Sequence, residues 1–240
     1  MKLLDLTLPT PAENLACDEA LLDLGEAGQG LELLRFWEPT THFVVVGHAN
    51  RVAAEVHLGA CEAGNIPILR RCSGGGAVLQ GPGCLNYTLI LRIAEDGPLG
   101  AIGTANRFIM ERNRAALADL AFPSEIEVRG HTDLAIRGLK FSGNAQRRKK
   151  RFLLFHGTFL LQFDLSLVEE LLPLPSRQPE YRGNRTHRDF LANFPAPRAA
   201  VKRALQGAWN AFDPLEPFPR DPIALLSRDK YATTAWNFKF

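Results

Sequence analysis

The stretch that decides the fold runs from residue 70 to residue 83 and reads RRCSGGGAVLQGPG. Three consecutive glycines lose much backbone entropy on folding and add no side chain to a core, so a bare backbone after two arginines needs a reason. Backbone N–H groups without Cβ atoms can approach a phosphate or a flat ligand closely, and Arg70 and Arg71 can add bidentate contacts to an anion. The other interpretation is a tight hairpin whose glycines only permit positive φ, and composition leaves both open.

The glycine stretch lies between two predicted strands. Residues 66–69 (IPIL) are short and apolar, as in a buried strand. Residues 84–93 (CLNYTLILRI) alternate with a period of two and predict a strand with one apolar face. A Walker loop needs GK[ST] followed by a helix, and a dinucleotide-binding fold places the pyrophosphate at a helix N-terminus. The strand that follows the glycines excludes both kinds of phosphate loop.

The rest of the chain predicts a mixture of helices and strands. Residues 125–163 read as a meander of successive strands. We therefore expect an α/β (α+β) fold with a mixed, largely antiparallel sheet flanked by helices. Further strands are predicted at 31–37 and 43–47, and helices at 13–24 (ended by Gly25), 52–63, 101–121 and about 198–212, the last with Phe212 on its apolar stripe.

Composition indicates an ordinary globular protein. Hydrophobic residues make up 46% and charged residues 22% of the 240 residues, and the formal net charge is only +2, so no nucleic-acid partner is expected. The four cysteines have neither CxxC nor metal-ligand spacing, which favours reduced thiols in a cytoplasmic protein. The sequence has no signal-length apolar run at its N-terminus and no 18-residue apolar stretch, so we expect no membrane association.

A second group of polar residues lies on the predicted meander. Asp133 and Lys140 fall on successive strands, so a short hairpin can bring them near each other. Lys140 stands between Leu139 and Phe141, which alternation places on the core face. Lys140 then faces either solvent or a cavity, where it could neutralise a phosphate or a carbonyl oxygen, and periodicity leaves both open. The group comprises Asp133, Lys140, Ser142, Gly143, Asn144 and His156.

Three segments together resemble the catalytic domain of lipoate–protein ligase A and its relatives. They read RRCSGGGAVLQGPGCLNYT (70–88), TDLAIRGLKFSGNAQ (132–146) and FHGTFLL (155–161), and the resemblance extends over roughly residues 10–195. It implies a catalytic domain of the class II synthetase and biotin-ligase type, in which the glycines and a lysine strand flank a tunnel for an acyl adenylate. We expect residues 1–240 to form one such domain, with about 196–240 as a helical extension.

The resemblance also implies which residues form the site. Lys140 is expected to be the catalytic group that contacts the acyl carbonyl and the α-phosphate. Asp133 is expected to position the nucleotide, with Mg²⁺ bound through ATP. The substrate- and adenylate-binding residues implied in this way are Arg71, Ser73, Gly74, Gly75, Gly76, Ala77, Asn86, Asp133, Ser142, Gly143, His156, Gly157 and Thr158.

The implied reaction is the ATP-dependent lipoylation of a protein. Lipoate and ATP would form lipoyl-AMP, from which a lysine of a lipoyl carrier domain would take the lipoyl group. The expected carriers are 2-oxoacid dehydrogenase acyltransferase subunits, the glycine cleavage H protein or a similar lipoate-binding protein.

The sister octanoyltransferases use a cysteine nucleophile, placed either after the lysine or about fifteen residues before it. This chain has no cysteine after Cys84, and Glu125 stands near the second position. Cys72 and Cys84 read as buried apolar filler. The sequence therefore favours the ligase over an octanoyl or lipoyl transferase.

The chain departs from the longer ligases at its C-terminal end. Those ligases carry an extra domain that supports adenylation, whereas only residues 196–240 follow the resemblance here. Three alternatives stay open: the chain completes both steps unaided, a separate accessory-domain protein assists it, or it transfers lipoyl from a preformed adenylate or another carrier.

Two cationic segments remain. Five consecutive cations between the last two predicted strands are either a solvated hairpin tip or a docking patch for acidic carrier domains. They are Arg147, Arg148, Lys149, Lys150 and Arg151. A later cluster of mostly cationic side chains lies within residues 173–190, and we interpret this segment as a surface loop rather than as a wall of a pocket. Its members are Arg177, Tyr181, Arg182, Arg185 and His187.

Overall fold

The computed structural model describes residues 1–240, apart from the side chain of Gln29. The strands are β1 Lys2–Asp5, β2 Leu33–Trp37, β3 Phe43–Val46, β4 Ile68–Arg70, β5 Val78–Gln80, β6 Cys84–Arg92, β7 Ile126–Arg129, β8 Asp133–Ile136, β9 Leu139–Arg148, β10 Phe152–Leu160 and β11 Asp213–Pro214. The helices are α1 Pro11–Leu24, α2 Val52–Glu55, α3 Leu58–Ala63, α4 Ile102–Ala121, α5 Ser166–Leu171, α6 His187–Phe190, α7 Arg198–Trp209, α8 Arg220–Leu226 and α9 Thr234–Asn237.

The strands form two sheets. The larger has eight strands in the order β11-β1-β2-β6-β10-β9-β8-β7, and the smaller has the order β4-β3-β5. In the larger sheet β11, β1 and β2 run parallel, and every later pair is antiparallel. The architecture is therefore α/β with a mixed, largely antiparallel sheet flanked by helices, which confirms the predicted fold class.

Strand β6 is buried on both faces, which corrects the prediction of a single apolar face. On one face Leu85 and Leu89 pack in the main core with residues of α4 and α7. On the other face Ile90 packs with residues of α1. Asn86 and Thr88 are buried as well, because β6 lies in the middle of the sheet and both of its sides are covered.

Helix α1 begins with a capping box and ends at a π-helical turn. The Thr10 hydroxyl accepts the Glu13 N–H, and the Glu13 carboxylate accepts the Thr10 N–H. The helix ends at Leu24 as predicted. Gly25 keeps a right-handed backbone (φ −56°) and begins a π-helical turn, Gly25–Gln29.

Two other helix predictions need correction. The predicted helix 52–63 is broken between α2 and α3, because Val56 is extended and the His57 N–H donates to the Leu171 carbonyl. Helix α7 ends at Trp209, where Asn210 takes the left-handed conformation (φ 49°). Phe212 therefore leaves the apolar stripe and is 65% exposed.

The last helices return to the glycine stretch. Helix α8 packs beside α1, and α9 packs beside β4. The Arg70 main-chain N–H donates to Asn237 Oδ1 (2.9 Å), and its guanidinium donates to the carbonyls of Trp236 and Asn237. The C-terminal segment thus anchors the residue that opens the glycine stretch. Among the described residues, no helix combines the length and apolar character needed to cross a membrane.

Candidate active site

A cavity of about 580 Å³ opens beside the glycine loop (residues 71–77), the β8–β9 hairpin and the segment 173–191. Apolar and polar side chains both line its wall, which suits a ligand with an apolar chain and a charged head. The apolar side chains include Leu15, Trp37, Val45, Val78, Leu79, Phe163, Val168 and Leu172, and the polar ones include Asp18, Asp133, Lys140, His156, Arg182 and His187.

Arg71 organises the glycine loop from within. Its Nη2 donates to the carbonyls of Gly74 (2.6 Å) and Gly76 (2.8 Å). Its Nη1 donates to the Val45 carbonyl, and its Nε donates to Ser73 Oγ (3.1 Å). Burial lowers the pKa of Arg71 to about 10, so the group remains cationic at neutral pH. Arg71 lines the cavity as predicted, but its donors hold the loop.

Arg70 has an anchoring role instead of the anion contact that the sequence suggested. Its Nη1 donates to the carbonyls of Gly47 and Asn50, both at 2.8 Å, and the whole residue is buried. Arg70 therefore binds main-chain oxygens outside the loop, whereas Arg71 binds the carbonyls of Gly74 and Gly76 within it. A guanidinium with several carbonyl partners fixes backbone that has no side chains to pack.

The main chain of the glycine loop passes very close to the main chain at Gly47. Gly75 has φ +92°, a conformation that favours glycine. A Cβ atom on Gly47 would lie 2.0 Å from the Gly75 carbonyl oxygen, so two main chains nearly touch here. Gly75, Gly76 and Ala77 line the cavity, whereas Ser73 is 1% exposed and lies behind it. The loop therefore presents backbone to the cavity.

Lys140 faces the cavity, which settles the alternative that periodicity left open. A β-bulge between β8 and β9 lies beside it, and its Nζ is 2.8 Å from Asp133 Oδ1. The Tyr181 hydroxyl donates to the other oxygen of Asp133 (2.8 Å). Gly143 makes room for the lysine, because a Cβ atom there would lie 2.8 Å from Nζ. The predicted proximity of Asp133 and Lys140 is confirmed.

Three side chains from β5, β6 and β10 close a small ring of hydrogen bonds at the cavity wall. Gln80 Nε2 donates to Thr158 Oγ1, which donates to Asn86 Oδ1, and Asn86 Nδ2 donates to Gln80 Oε1. Asn86 and Thr158 were predicted, and Gln80 was missed. Because every polar atom of the ring has a partner, the ring forms a rigid polar patch.

Asn144 connects the cavity to the main core. Its Oδ1 accepts the Tyr87 hydroxyl proton (2.6 Å), and that hydroxyl oxygen accepts from Asn113 on α4. Burial raises the pKa of Tyr87 far above its usual range, so the hydroxyl stays a donor. Sequence reasoning included Asn144 and missed Tyr87. Ser142, Gly143 and Gly157 also line the cavity, as predicted.

His156 joins helix α1 to the glycine loop. Its Nε2 lies 2.6 Å from Ser73 Oγ, and its Nδ1 lies 3.1 Å from Asp18 Oδ2. Asp18 also forms a buried ion pair with Arg35 (2.5 Å). Sequence reasoning missed Asp18 and Arg35. Asn14 and Asp18 stand four residues apart on the buried face of α1, and such a polar pair at helical spacing is the signal that could have found Asp18.

The segment 173–190 forms a wall of the cavity, which corrects the surface-loop interpretation. Arg177, Arg182 and His187 line the cavity, and Arg182 and His187 are buried. Arg182 also lies over the Phe190 ring (4.6 Å). Burial lowers the pKa of His187, so its imidazole is mainly neutral at pH 7.

Three members of the basic run bind other parts of the same chain. Arg148 donates to the carbonyls at residues 99 and 100, Lys149 pairs with Asp23 (2.5 Å), and Arg151 bonds Glu26. Arg147 and Arg148 belong to β9 rather than to the hairpin tip. Lys149 and Arg151 attach the β9–β10 hairpin to the end of α1 and the turn that follows it, and Arg148 attaches β9 to the segment before α4. Carrier docking by this run stays a prediction.

The four cysteines, Cys17, Cys61, Cys72 and Cys84, are all buried. Burial raises the pKa of Cys17, Cys72 and Cys84 to about 12, so roughly one thiol in 10⁵ is a thiolate at pH 7. No cysteine occurs among the described residues that line the cavity. Buried filler is therefore the better description of all four.

Comparison with known proteins identifies the family of this chain. The family model described as "Lipoyl protein ligase A/B catalytic domain" matches residues 10–194, a range that contains the glycine loop, Lys140 and His156. The chain belongs to this family of lipoate ligases and octanoyltransferases.

Relatives of both kinds are similar to the chain. Octanoyltransferase LipM of Geobacillus kaustophilus is 28% identical, over 95% of this chain and 94% of its own length. Lipoate–protein ligase 1 of Staphylococcus aureus is 29% identical, over 95% of this chain and 70% of its own length. Sequence identity at this level shows an enzyme of the lipoate ligase and octanoyltransferase family. It does not distinguish the ligase reaction from the octanoyltransferase reaction.

Solved structures share the fold. A lipoate–protein ligase A bound with ATP superposes with a TM-score of 0.82 at 24% identity, covering 99% of this chain and 98% of the other. A bipartite lipoate–protein ligase from Thermoplasma acidophilum, described with its E2 lipoyl domain, superposes with a TM-score of 0.78 at 25% identity, covering 99% and 95% of the two chains.

Proposed function

We propose that the protein is a lipoate–protein ligase, which activates lipoate with ATP and transfers the lipoyl group to a lysine of a carrier domain. The observation that carries this proposal is a cavity whose described lining includes Lys140 and no thiol. An acyl adenylate needs cationic and N–H donors beside its phosphate and carbonyl. The thioester route of a transferase needs a protein nucleophile as well.

The first step joins lipoate to AMP. A carboxylate oxygen of lipoate attacks the α-phosphorus of ATP, the bond to the bridging oxygen breaks, and pyrophosphate leaves. Negative charge accumulates on the nonbridging oxygens of the α-phosphate. Lys140 would exchange Asp133, now 2.8 Å away, for one of these oxygens, and the exposed backbone of Gly75 and Gly76 supplies further donors.

The second step transfers the acyl group. The amine of a carrier lysine attacks the carbonyl carbon of lipoyl-AMP, the bond from that carbon to the phosphate oxygen breaks, and AMP leaves. The proton released by the amine passes to solvent. Lys140 would stabilise the oxyanion of the tetrahedral intermediate. The apolar residues of the cavity, such as Val78 and Leu79, would bind the acyl chain.

Magnesium fits this proposal as a companion of ATP. Among the described residues, no group of three or more His, Cys, Asp or Glu side chains could hold a metal ion. A nucleotide-bound Mg²⁺ commonly needs only one or two protein carboxylates, and the half-buried Asp133 is the residue we expect to supply one. When bound, the metal would offset the charge of the phosphates.

Isotope exchange between ATP and pyrophosphate tests the first step. The full chain, incubated with lipoate and Mg²⁺, should incorporate labelled pyrophosphate into ATP, and omitting lipoate should abolish the exchange. Exchange that appears only after a second protein is added would mean that an accessory domain is needed. Lipoylation from supplied lipoyl-AMP, together with no exchange under any condition, would confine the enzyme to the transfer step.

We also propose that residues 1–240 act as one catalytic domain. Superposition with 95% of the bipartite Thermoplasma ligase chain supports this, since that ligase is described as two-part. The carrier would be a lipoyl domain of a 2-oxoacid dehydrogenase acyltransferase subunit, a glycine cleavage H protein or a similar protein. Arg147 and Lys150 are the members of the basic run that we expect to contact it.

The second candidate function is octanoyl transfer from acyl carrier protein. It is favoured by the 28% identity to an octanoyltransferase over nearly the full length of both chains. Against it stands the position of the cysteines, all buried and outside the described cavity lining. Octanoylation of a lipoyl domain with octanoyl carrier protein as the only acyl donor would establish this alternative.

A further inference from the structure

A chain of polar side chains leads from helix α1 to the glycine loop. Asp18 Oδ2 lies 3.1 Å from His156 Nδ1, and His156 Nε2 lies 2.6 Å from Ser73 Oγ. Ser73 Oγ lies 3.1 Å from Arg71 Nε. Ser73 and Asp18 are almost fully buried. The proposed reaction gives no role to these contacts between Asp18, His156, Ser73 and Arg71.

The chemistry of the groups fixes the direction of each hydrogen bond. Asp18 is ion-paired with Arg35, and an ionised carboxylate can only accept a hydrogen bond, so the contact with Asp18 Oδ2 places a proton on His156 Nδ1. In the neutral imidazole Nε2 then has no proton and accepts the Ser73 hydroxyl proton. Ser73 Oγ in turn accepts from Arg71 Nε, since a guanidinium can only donate.

Asp18 is held on its other side as well. Its Oδ1 lies 2.5 Å from Arg35 Nη1, and the two side chains are 3% and 0% exposed. Arg35 also donates to the Asn14 carbonyl (2.9 Å) and to Asn14 Oδ1 (2.7 Å). A buried and multiply bonded ion pair of this kind keeps the carboxylate in one orientation.

We infer that Asp18 is a positioning residue, which acts through His156 and Ser73 to fix the Arg71 guanidinium and with it the shape of the glycine loop. The physical link is the pair of contacts from Arg71 Nη2 to the carbonyls of Gly74 and Gly76. Rotation of Arg71 would release both carbonyls and turn the backbone that faces the cavity. The inference rests on the proposed function only for its activity readout.

Aspartate, histidine and serine in this order also form the triads of acyl-transferring enzymes, in which the serine attacks a carbonyl carbon. Two observations separate the present arrangement from such a triad. Ser73 is 1% exposed and is absent from the described lining of the cavity. Its oxygen also accepts a hydrogen bond from the cationic Arg71, which makes it a poorer nucleophile.

The first test measures the tautomer of His156 in the free protein. The full chain is labelled with ¹⁵N-histidine, and the His156 signals are assigned with His156→Gln. We expect a proton on Nδ1 and none on Nε2 at neutral pH, whichever acyl donor the enzyme uses. Asp18→Asn should shift the proton to Nε2, while Asp23→Asn on the outer side of α1 should leave it in place. A proton on Nε2 in the wild-type protein would overturn the inference.

The second test is a double-mutant cycle. Asp18→Asn and Ser73→Ala should each lower kcat for lipoyl transfer from lipoyl-AMP roughly a hundredfold, because both misplace the loop. If Asp18 acts through Ser73, the double variant should lose no more than about twofold beyond either single variant. Losses that multiply to roughly 10⁴ would show that the two residues act independently, and would contradict the inference.

Asp18→Asn leaves Arg35 with a neutral partner and could fail to fold. A second cycle with Ser73→Ala and His156→Gln keeps the Asp18–Arg35 ion pair and tests the adjoining link in the same way. The mass of the enzyme after incubation with an acyl donor tests the triad alternative. An acyl adduct that disappears in Ser73→Ala would overturn the positioning role, whereas an unmodified enzyme agrees with it.

Discussion

Lys140 owes its position to its neighbours as much as to its own strand. Asp133 neutralises its ammonium group, Tyr181 holds the second oxygen of that carboxylate, and Gly143 leaves the space its tip occupies. The lysine side chain is 27% exposed, so it remains reachable from the cavity. A charged group that is paired but accessible can change partners when an anionic substrate arrives.

Replacing Lys140 by alanine should therefore lower the rate of transfer strongly, with little loss of stability. Losing one preorganised donor to a developing oxyanion costs about 3 kcal/mol, or roughly a hundredfold in rate. Steady-state lipoylation and urea unfolding would be measured for Lys140→Ala and for the exposed control Lys2→Ala. Near wild-type activity in Lys140→Ala would mean that another group stabilises the charge.

Gly143→Ala should impair the same step although no charged residue is replaced. The added Cβ would lie 2.8 Å from Lys140 Nζ and 2.9 Å from its Cε. Because a lysine tip can move, the fold should survive while Lys140 shifts, and a displacement of about 1 Å can cost roughly a hundredfold in rate. Gly103→Ala, where no atom lies within 4 Å of the added Cβ, is the matched control. Equal activity of the two variants would show that the position of Lys140 is not critical.

Asp18 should make the protein sensitive to acid. Burial raises its pKa, but Arg35 and His156 together outweigh burial and hold the pKa below the usual 3.8. A carboxyl group of this kind stabilises the fold above pH 3.8, and the stabilisation is lost as the pH falls through its lower folded value. Urea unfolding from about pH 6 to about pH 2.5 should show a decline below about pH 4 that is shallower in Asp18→Asn. Identical slopes in both proteins would contradict this role.

At the scale of elements, the glycine loop depends on segments far away in the sequence. Helix α9 holds Arg70 at the start of the loop, α1 contributes Asp18 behind it, and the segment 173–190 walls the cavity opposite. Each of these segments has its own contacts to the rest of the fold. The loop is bonded to its surroundings by its main chain, since the Arg71 N–H donates to the Val46 carbonyl and the His48 N–H donates to the Ser73 carbonyl. Its order therefore depends on those neighbouring segments.

The contact between α9 and Arg70 can be tested at Asn237. Its Oδ1 accepts the Arg70 N–H, and its Nδ2 donates to the Tyr231 carbonyl. Asn237→Ala leaves these buried groups without partners and should lower the free energy of unfolding by about 2 kcal/mol. Urea unfolding with an unchanged m-value would confirm a loss of stability. Thr234→Ala, on the exposed side of the same helix, should change it by less than about 0.5 kcal/mol; equal losses in both variants would argue against the contact.

Local patterns predicted the elements of this protein better than its contacts. Alternation located β6, and the apolar stripe located α4, because each depends on a few neighbouring residues. The contact of Asp18 with His156 joins positions 138 residues apart, and only the folded sheet brings them together. The burial of both faces of β6, and the wall formed by 173–190, likewise depend on what packs against them.

Part of the candidate site could be predicted from the sequence, and part of it could not. The motifs supplied Lys140, Asp133 and the loop glycines through a resemblance. The structure places Lys140, Asp133, Gly75 and Gly76 around one cavity, whereas Gly74 is absent from its described lining. Composition alone left the glycine loop open between a hairpin and a ligand site. It also suggested anion contacts for both arginines, whereas the structure commits them to backbone carbonyls.

At the scale of the whole molecule, the family contains relatives named as lipoate–protein ligases and relatives named as octanoyltransferases. This chain is nearly equally similar to named relatives of both kinds, at 28% and 29% identity. The burial of all four cysteines, outside the described cavity lining, supports the ligase, so the identity of the acyl donor is the central claim to test.

The most direct measurement is the mass of an isolated lipoyl domain after incubation with the 240-residue chain. Parallel reactions would contain either lipoate with ATP and Mg²⁺ or octanoyl acyl carrier protein, and a lipoyl domain with its acceptor lysine changed to arginine would be the control. We predict a gain equal to one lipoyl group with lipoate and ATP, and none in the control. A gain equal to an octanoyl group with the carrier protein, and none with lipoate and ATP, would contradict the account.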